Sequence, residues 1–320
     1  MEAALTAVRA LHFAAGVVLF GQFAYAAFVS PGGRLPARFA ATTWTCLALS
    51  AATACAWLAI ESVNMSGLPA VEALTGSTLG TVLFRTQFGH VWIARAVLMA
   101  LLCVPLAMLG GRADDHRSGA GIAFGGLAAM VLLASLACAG HAAADTGATR
   151  YAHGAADALH LVAAGAWLGA LVPFTALLAS AAGDASRETL DRARSATHRF
   201  SILGVASVAT LAVTGIVNTC YMVPDLGAFL HSRYGLELLA KLALVALVVA
   251  LAADNRLRLT ARLDAGAPAA ARALLRNACV ELVLGFAILA IVGNLGITMP
   301  PAKKGSDTFS IDGSATGKGI

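Results

Sequence analysis

The chain has 320 residues, of which 59% are hydrophobic and only 12% charged, with a formal net charge of +5 at pH 7 and a mean hydropathy of +0.78. Soluble domains carry about 25% charged residues, so a soluble enzyme, a disordered chain and a fibrous repeat are all excluded. Arginine supplies 18 of the 22 basic residues, in short bursts between apolar runs. That is the pattern of membrane-protein loops rather than a nucleic-acid footprint.

A spanning helix needs about 20 mostly apolar residues. Eight such runs follow one another: Leu5–Val29, Phe39–Ile60, Phe88–Leu109, Gly119–Gly140, Ala155–Ser180, Phe200–Met222, Tyr234–Ala253 and Ala278–Thr298. The fold class expected is an all-α integral membrane protein, a bundle of eight transmembrane helices. The first run is too long for a signal-peptide core and has no basic leader, so it is expected to be retained. The longest connector, Glu61–Gln87, has Leu68, Val71, Leu74 and Val82 near helical spacing, and is expected to lie as a short amphipathic helix on the membrane surface. Residues 1–301 form the membrane domain. The Gly-, Ser- and Thr-rich stretch 302–320 reads as a flexible polar tail.

The arginines set the expected orientation. Loops one, three, five and seven hold 13 of them, and loops two, four and six hold only Arg85, Arg150 and Arg233. Positive charge stays cytoplasmic, which puts the odd loops inside and both termini in the periplasm. On that topology His12, His90, His141, His153, His160 and His231 lie in the outer half or the outer loops, and only His116 and His198 lie inside. Histidines deep in a span must face a cavity or a partner.

The sharpest local pattern is His153-x3-Asp157-x2-His160, whose steps of four and three put all three side chains on one helical face. Asp157 can accept from an imidazole of this set and fix its tautomer, or act as a ligand itself. His141 ends the fourth run and can reach the same outer cavity, while Met65, Met222 and Met299 close outer ends of spans. Thioethers suit Cu(I) and imidazoles suit Cu(II) and other ions, so a mixed His/Met rim fits copper. Only neutral imidazoles ligate, so binding is expected to weaken as pH falls. Glu237 and Lys241, four apart, are placed to pair, and Arg95 needs a carboxylate or carbonyl partner.

The six cysteines show no CxxC pair and fall mostly inside apolar runs, which speaks against a disulfide framework or a zinc module. No GxxxxGK[ST] phosphate loop and no serine nucleophile elbow occurs. Neither a nucleotide, a nucleic acid nor a catalytic centre is expected.

Several stretches together resemble one family: Arg9-Ala-Leu-His12, Asn64-Met65-Ser66-Gly67, Phe88-Gly89-His90-Val91-Trp92, Ala139-Gly140-His141-Ala142, and Asp157-Ala-Leu-His160 running into Ala164-Gly165-Ala166-Trp167-Leu168-Gly169. Phe200-Ser201, Thr214-Gly215, Asn218, Tyr234-Gly235, Lys241, Asn255-Arg256, Glu281-Leu282 and Pro300-Pro301-Ala302 continue the series. In order and spacing the chain resembles the copper resistance protein D (CopD) family of bacterial inner-membrane proteins. The resemblance implies copper homeostasis, with copper, as Cu(I) or Cu(II), moved from periplasm to cytoplasm. It also implies a separate CopC-like periplasmic copper-binding partner. By carry-over the metal-binding candidates are His12, His141, Asp157 and His160, with Met65 beside them; His153, from the local pattern, and His90 complete the candidate set. Two alternatives stay open: a b-type haem redox protein using the same outer histidines, and a scaffold that delivers copper without transporting it.

Overall fold

The computed structural model describes residues 1–30, 35, 38–109, 118–139, 147–184, 186–223 and 226–298. His141, Met299 and the expected tail at 302–320 lie outside them. Among the described residues there is no strand, and eight helices are long and apolar enough to cross a bilayer. They are Glu2–Val29, Phe39–Ser66, Gln87–Leu109, Gly119–Ala139, Thr149–Gly183, Arg187–Met222, Arg233–Asp264 and Ala269–Leu295, called the first to eighth spans below.

Several helices overrun the apolar runs. The sixth starts at Arg187 rather than Phe200, and the seventh continues past Ala253 to Asp264. Hydropathy marks where a chain meets hydrocarbon, whereas backbone hydrogen bonding carries a helix on into water until a cap ends it. Ser186 supplies such a cap, its side chain accepting from the Thr189 N–H. The Glu61–Gln87 connector differs from a single helix: it breaks into Ala70–Ala73 and Gly76–Arg85. Val82 alone of the expected stripe is buried, while Leu68, Val71 and Leu74 are exposed.

The first span is the hub. It packs on the second, fourth, fifth and eighth spans, and 56% of its apolar window is buried against 11% for the seventh. Its approach to the fifth span depends on two glycines: a Cβ on Gly21 would lie 2.0 Å from the Gly169 carbonyl carbon, and one on Gly169 would lie 2.0 Å from the Val17 oxygen. Gly165–Gly169 is wound as a π turn. Pro173, four residues on, has no N–H for the Gly169 carbonyl and its ring crowds it. Thr6 Oγ1 donates to Asn294 Oδ1 at 3.3 Å, so the first span begins beside the end of the eighth. That end of the bundle is the terminal end, and the opposite one the far end.

Candidate functional site

Two polar clusters lie within the bundle toward the terminal end, each centred on a histidine. The first joins spans one to four. His12 is 1% exposed, and both its ring nitrogens are engaged. Thr53 Oγ1 donates to the Leu49 carbonyl at 2.6 Å, so at 2.7 Å from His12 it accepts the Nδ1–H. Nε2 then holds a lone pair, and the Arg95 guanidinium donates to it. Arg95 also donates to the Leu132 carbonyl at 2.7 Å and the Ser135 hydroxyl at 2.6 Å, which gives it the carbonyl partner its position requires.

Aromatic rings close this cluster. The His12 ring meets the edge of Trp57 and stacks over Trp92, and the Arg9 guanidinium lies 4.5 Å from the Trp57 ring centre. Arg9 crosses the last turn of the eighth span at Gly296, where a Cβ would collide with its guanidinium. Copper or haem iron could take His12 Nε2 only by displacing Arg95.

The second cluster joins spans five, six and seven. The fifth span starts earlier than its apolar run, with helix from Gly147. His160 is thus thirteen residues along it, about 20 Å from its start at about 1.5 Å per residue. Its Nδ1 lies 2.9 Å from Thr214 Oγ1. Thr214 donates its own hydroxyl proton to the Thr210 carbonyl at 2.7 Å, so it accepts from His160 Nδ1–H. For His160 the orienting partner is therefore a threonine on the neighbouring span. Nε2 of His160 is left as a lone pair with no hydrogen-bond partner among the described residues.

Other polar side chains lie on the same three spans. Asp157 Oδ1 accepts from Asn218 Nδ2 at 3.5 Å, and the Asn218 Oδ1 is buried with no donor. His153 is 4% exposed and stacks on Tyr221 with ring centres 4.9 Å apart. Tyr234 donates to the Met222 sulfur at 3.2 Å. Lys241 lies within electrostatic reach of both Asp157 and His160. The expected Glu237–Lys241 pair is replaced: Glu237 accepts instead from Arg233 at 2.9 Å, Asn294 at 2.7 Å and Thr298 at 3.1 Å. Three better-placed donors on two elements outcompete one ammonium a turn away.

The other expected residues lie apart. His90, at the start of the third span, donates from Nε2 to the Phe84 carbonyl at 3.2 Å in an exposed position. Met65 is 52% exposed at the end of the second span. Among the described residues no group of three His, Cys, Asp or Glu side chains is close enough to hold a metal ion, so His12 and His160 do not share a coordination sphere with a third such ligand. Thr53, Thr214 and Asn218 orient or extend the two clusters. Their one sequence signal is a hydroxyl or amide inside an apolar run. An imidazole with a fixed neutral tautomer and one nitrogen open is a ligand type that suits copper.

Residues 1–151 match the family model for the N-terminal domain of copper resistance protein D-like proteins, and residues 194–295 match the model for copper resistance protein D. Copper resistance protein D of Pseudomonas syringae pv. tomato is 30% identical over 302 residues, covering 91% of this chain and 93% of that protein. Inner membrane protein YebZ of Escherichia coli K12 is 27% identical over 297 residues, covering 92% and 97%. Copper transport protein CutJ of Bacillus subtilis is 27% identical over 172 residues, 53% of this chain and 30% of the relative. No solved structure matches. With its eight spans and this near end-to-end similarity, the chain belongs to the copper resistance protein D family, as a multi-pass inner-membrane protein that handles copper.

Proposed function

We propose that the protein moves copper ions from periplasm to cytoplasm, receiving them at His160 near the terminal end of the bundle. The observation that carries this reading is the state of His160: Thr214 holds the Nδ1–H, and Nε2 keeps a lone pair with no hydrogen-bond partner among the described residues, on the helix face it shares with Asp157. A ligating histidine needs this arrangement, one nitrogen fixed by an outer partner and the other open. The arginine bias of the odd loops supports placing the terminal end in the periplasm.

The copper ion is cargo, and its passage requires no bond-making on a substrate. A small periplasmic copper-binding protein of the CopC type would load the site from the terminal end. The test is copper content of the purified protein, by elemental mass spectrometry, after equilibration with Cu(I) and separately with Cu(II). Copper near one per chain, lost in His160→Ala and retained in His198→Ala, is the expected outcome. Equal copper in the two variants overturns the site.

A further inference from the structure

Toward the far end, a third polar group stands apart from both histidine clusters. Glu281 lies midway along the eighth span and is 2% exposed. Its Oε1 accepts from Asn255 Nδ2 at 2.6 Å, and Asn255 Oδ1 in turn accepts from Asn277 Nδ2 at 2.9 Å. Asn255 opens a π turn in the seventh span, where its carbonyl accepts from the Thr260 hydroxyl at 2.8 Å. The amide chain fixes one carboxyl oxygen and leaves the other without a protein partner among the described residues.

Glu281 lines a cavity of about 360 Å³ between the fifth, sixth, seventh and eighth spans. The cavity is mostly apolar, with Thr197, Ser201, Asn255, Arg256, Thr260 and Glu281 as its polar groups near the far end. Arg256 is the one other charged residue in its lining, and it does not pair with Glu281. It donates to the Ser201 hydroxyl at 2.5 Å, in an exposed position. Among the described residues lining the cavity, no other charge stands opposite Glu281. The sixth span offers Thr197 and Ser201, the fifth Trp167 and Phe174, and the first Tyr25 in the adjoining apolar layer. On the eighth span itself, Asn277 is the polar neighbour, and Arg276 is directed to Asn277.

A carboxylate serving only to hold helices together would be expected to find the nearest guanidinium, because a buried ion without its counter-charge is costly. Without one, the group must carry a proton or meet a cation, and ionisable residues placed this way inside spans mark ion and proton paths. Oxygen donors on an apolar wall make a poor seat for a soft copper ion.

We propose that Glu281 is a proton-exchange site open to the far face, coupling proton movement to the copper moved from the terminal end. A hydronium in the cavity passes its proton to Oε2 and leaves as water. The reverse step returns the proton to a water, and no electrons are exchanged. The coupling rests on the copper-moving reading above, whereas the proton chemistry of Glu281 does not.

The test uses the full chain in liposomes, with dicyclohexylcarbodiimide as a probe for protonated carboxyls in apolar surroundings and peptide mass spectrometry as the readout. Labelling of Glu281 that falls as pH rises is expected, and absence of labelling at every pH overturns the proposal. In the same vesicles, a pH gradient of one unit should shift the steady-state copper ratio about tenfold for each proton exchanged per ion. Glu281→Gln should abolish that shift while still binding copper and keeping its melting temperature, and Glu281→Asp should restore part of it. An equal shift in wild type and Glu281→Gln, or none in wild type, overturns the coupling. Labelling that titrates in vesicles accumulating no copper would support the proton site and refute the transport reading instead.

Discussion

The two histidine clusters are built from the same residue types and differ in one connection. His12 and His160 both lie deep in a span, and both give Nδ1–H to a threonine that itself donates to its own helix backbone. At His12 the remaining lone pair is taken by Arg95, and two tryptophans close the space around it. At His160 the remaining lone pair has no hydrogen-bond partner among the described residues, and Gly215, whose Cβ would lie 3.6 Å from the ring, keeps the neighbouring helix surface low. A histidine's depth therefore does not decide its role. The first cluster is a clamp that joins four spans, and the second leaves one imidazole nitrogen open.

The comparison is broken most directly by truncating each histidine in turn. His160→Ala should lose most bound copper with a small change in melting temperature. His12→Ala should keep copper but lose about 1–3 kcal/mol of stability, since the buried Arg95 guanidinium then loses one of its three acceptors. Detergent melting curves and copper content, read together, check both, and copper loss in His12→Ala with an unchanged melt would reverse the assignment. Thr214→Val sharpens the contrast, because removing the partner that orients a ligating imidazole weakens metal binding about 10- to 100-fold. Competition titration against a copper chelator gives that number, and unchanged affinity would show that Thr214 orients nothing.

Smaller effects test the frame around the clusters. Gly169→Ala forces a methyl into the Val17 carbonyl and should cost about 1–3 kcal/mol by overpacking the contact of spans one and five, visible as a lower melting temperature. Asp184 gives the smallest effect. Hydrogen bonds from the Ser186 hydroxyl and N–H hold its carboxyl below the usual carboxylate range. A depressed carboxyl contributes its stability above its unfolded value and loses it as pH falls through the folded one. Amide exchange in the first turn of the sixth span should therefore quicken only in acid, and Asp184→Asn should remove that dependence.

Much of the architecture could be read directly from residue order. Eight apolar runs, the near absence of charge within them, and the arginine bias of the loops require eight spans with His12, Arg95, Asp157 and His160 inside them, because hydrocarbon tolerates neither unpaired backbone nor isolated charge. Helix ends were less legible: the Arg187–Arg199 stretch of the sixth span is polar, and only hydrogen bonding shows that it continues the helix.

Pairing was legible only where it stays within one helix, and even there it was overruled. The four-residue step from Glu237 to Lys241 suggests a local ion pair, and Asn294, 57 positions from Glu237, takes that place; the partner of His160 Nδ1 is Thr214, 54 positions away. The family motifs and the apolar runs thus determined the class of protein, its spans and its copper chemistry. Tertiary structure alone decided which histidine is closed and which is open. The physical reason is that a lone pair buried in the bilayer is satisfied by whichever donor packing brings within about 3 Å, and packing between spans is not written in the spacing along any one of them.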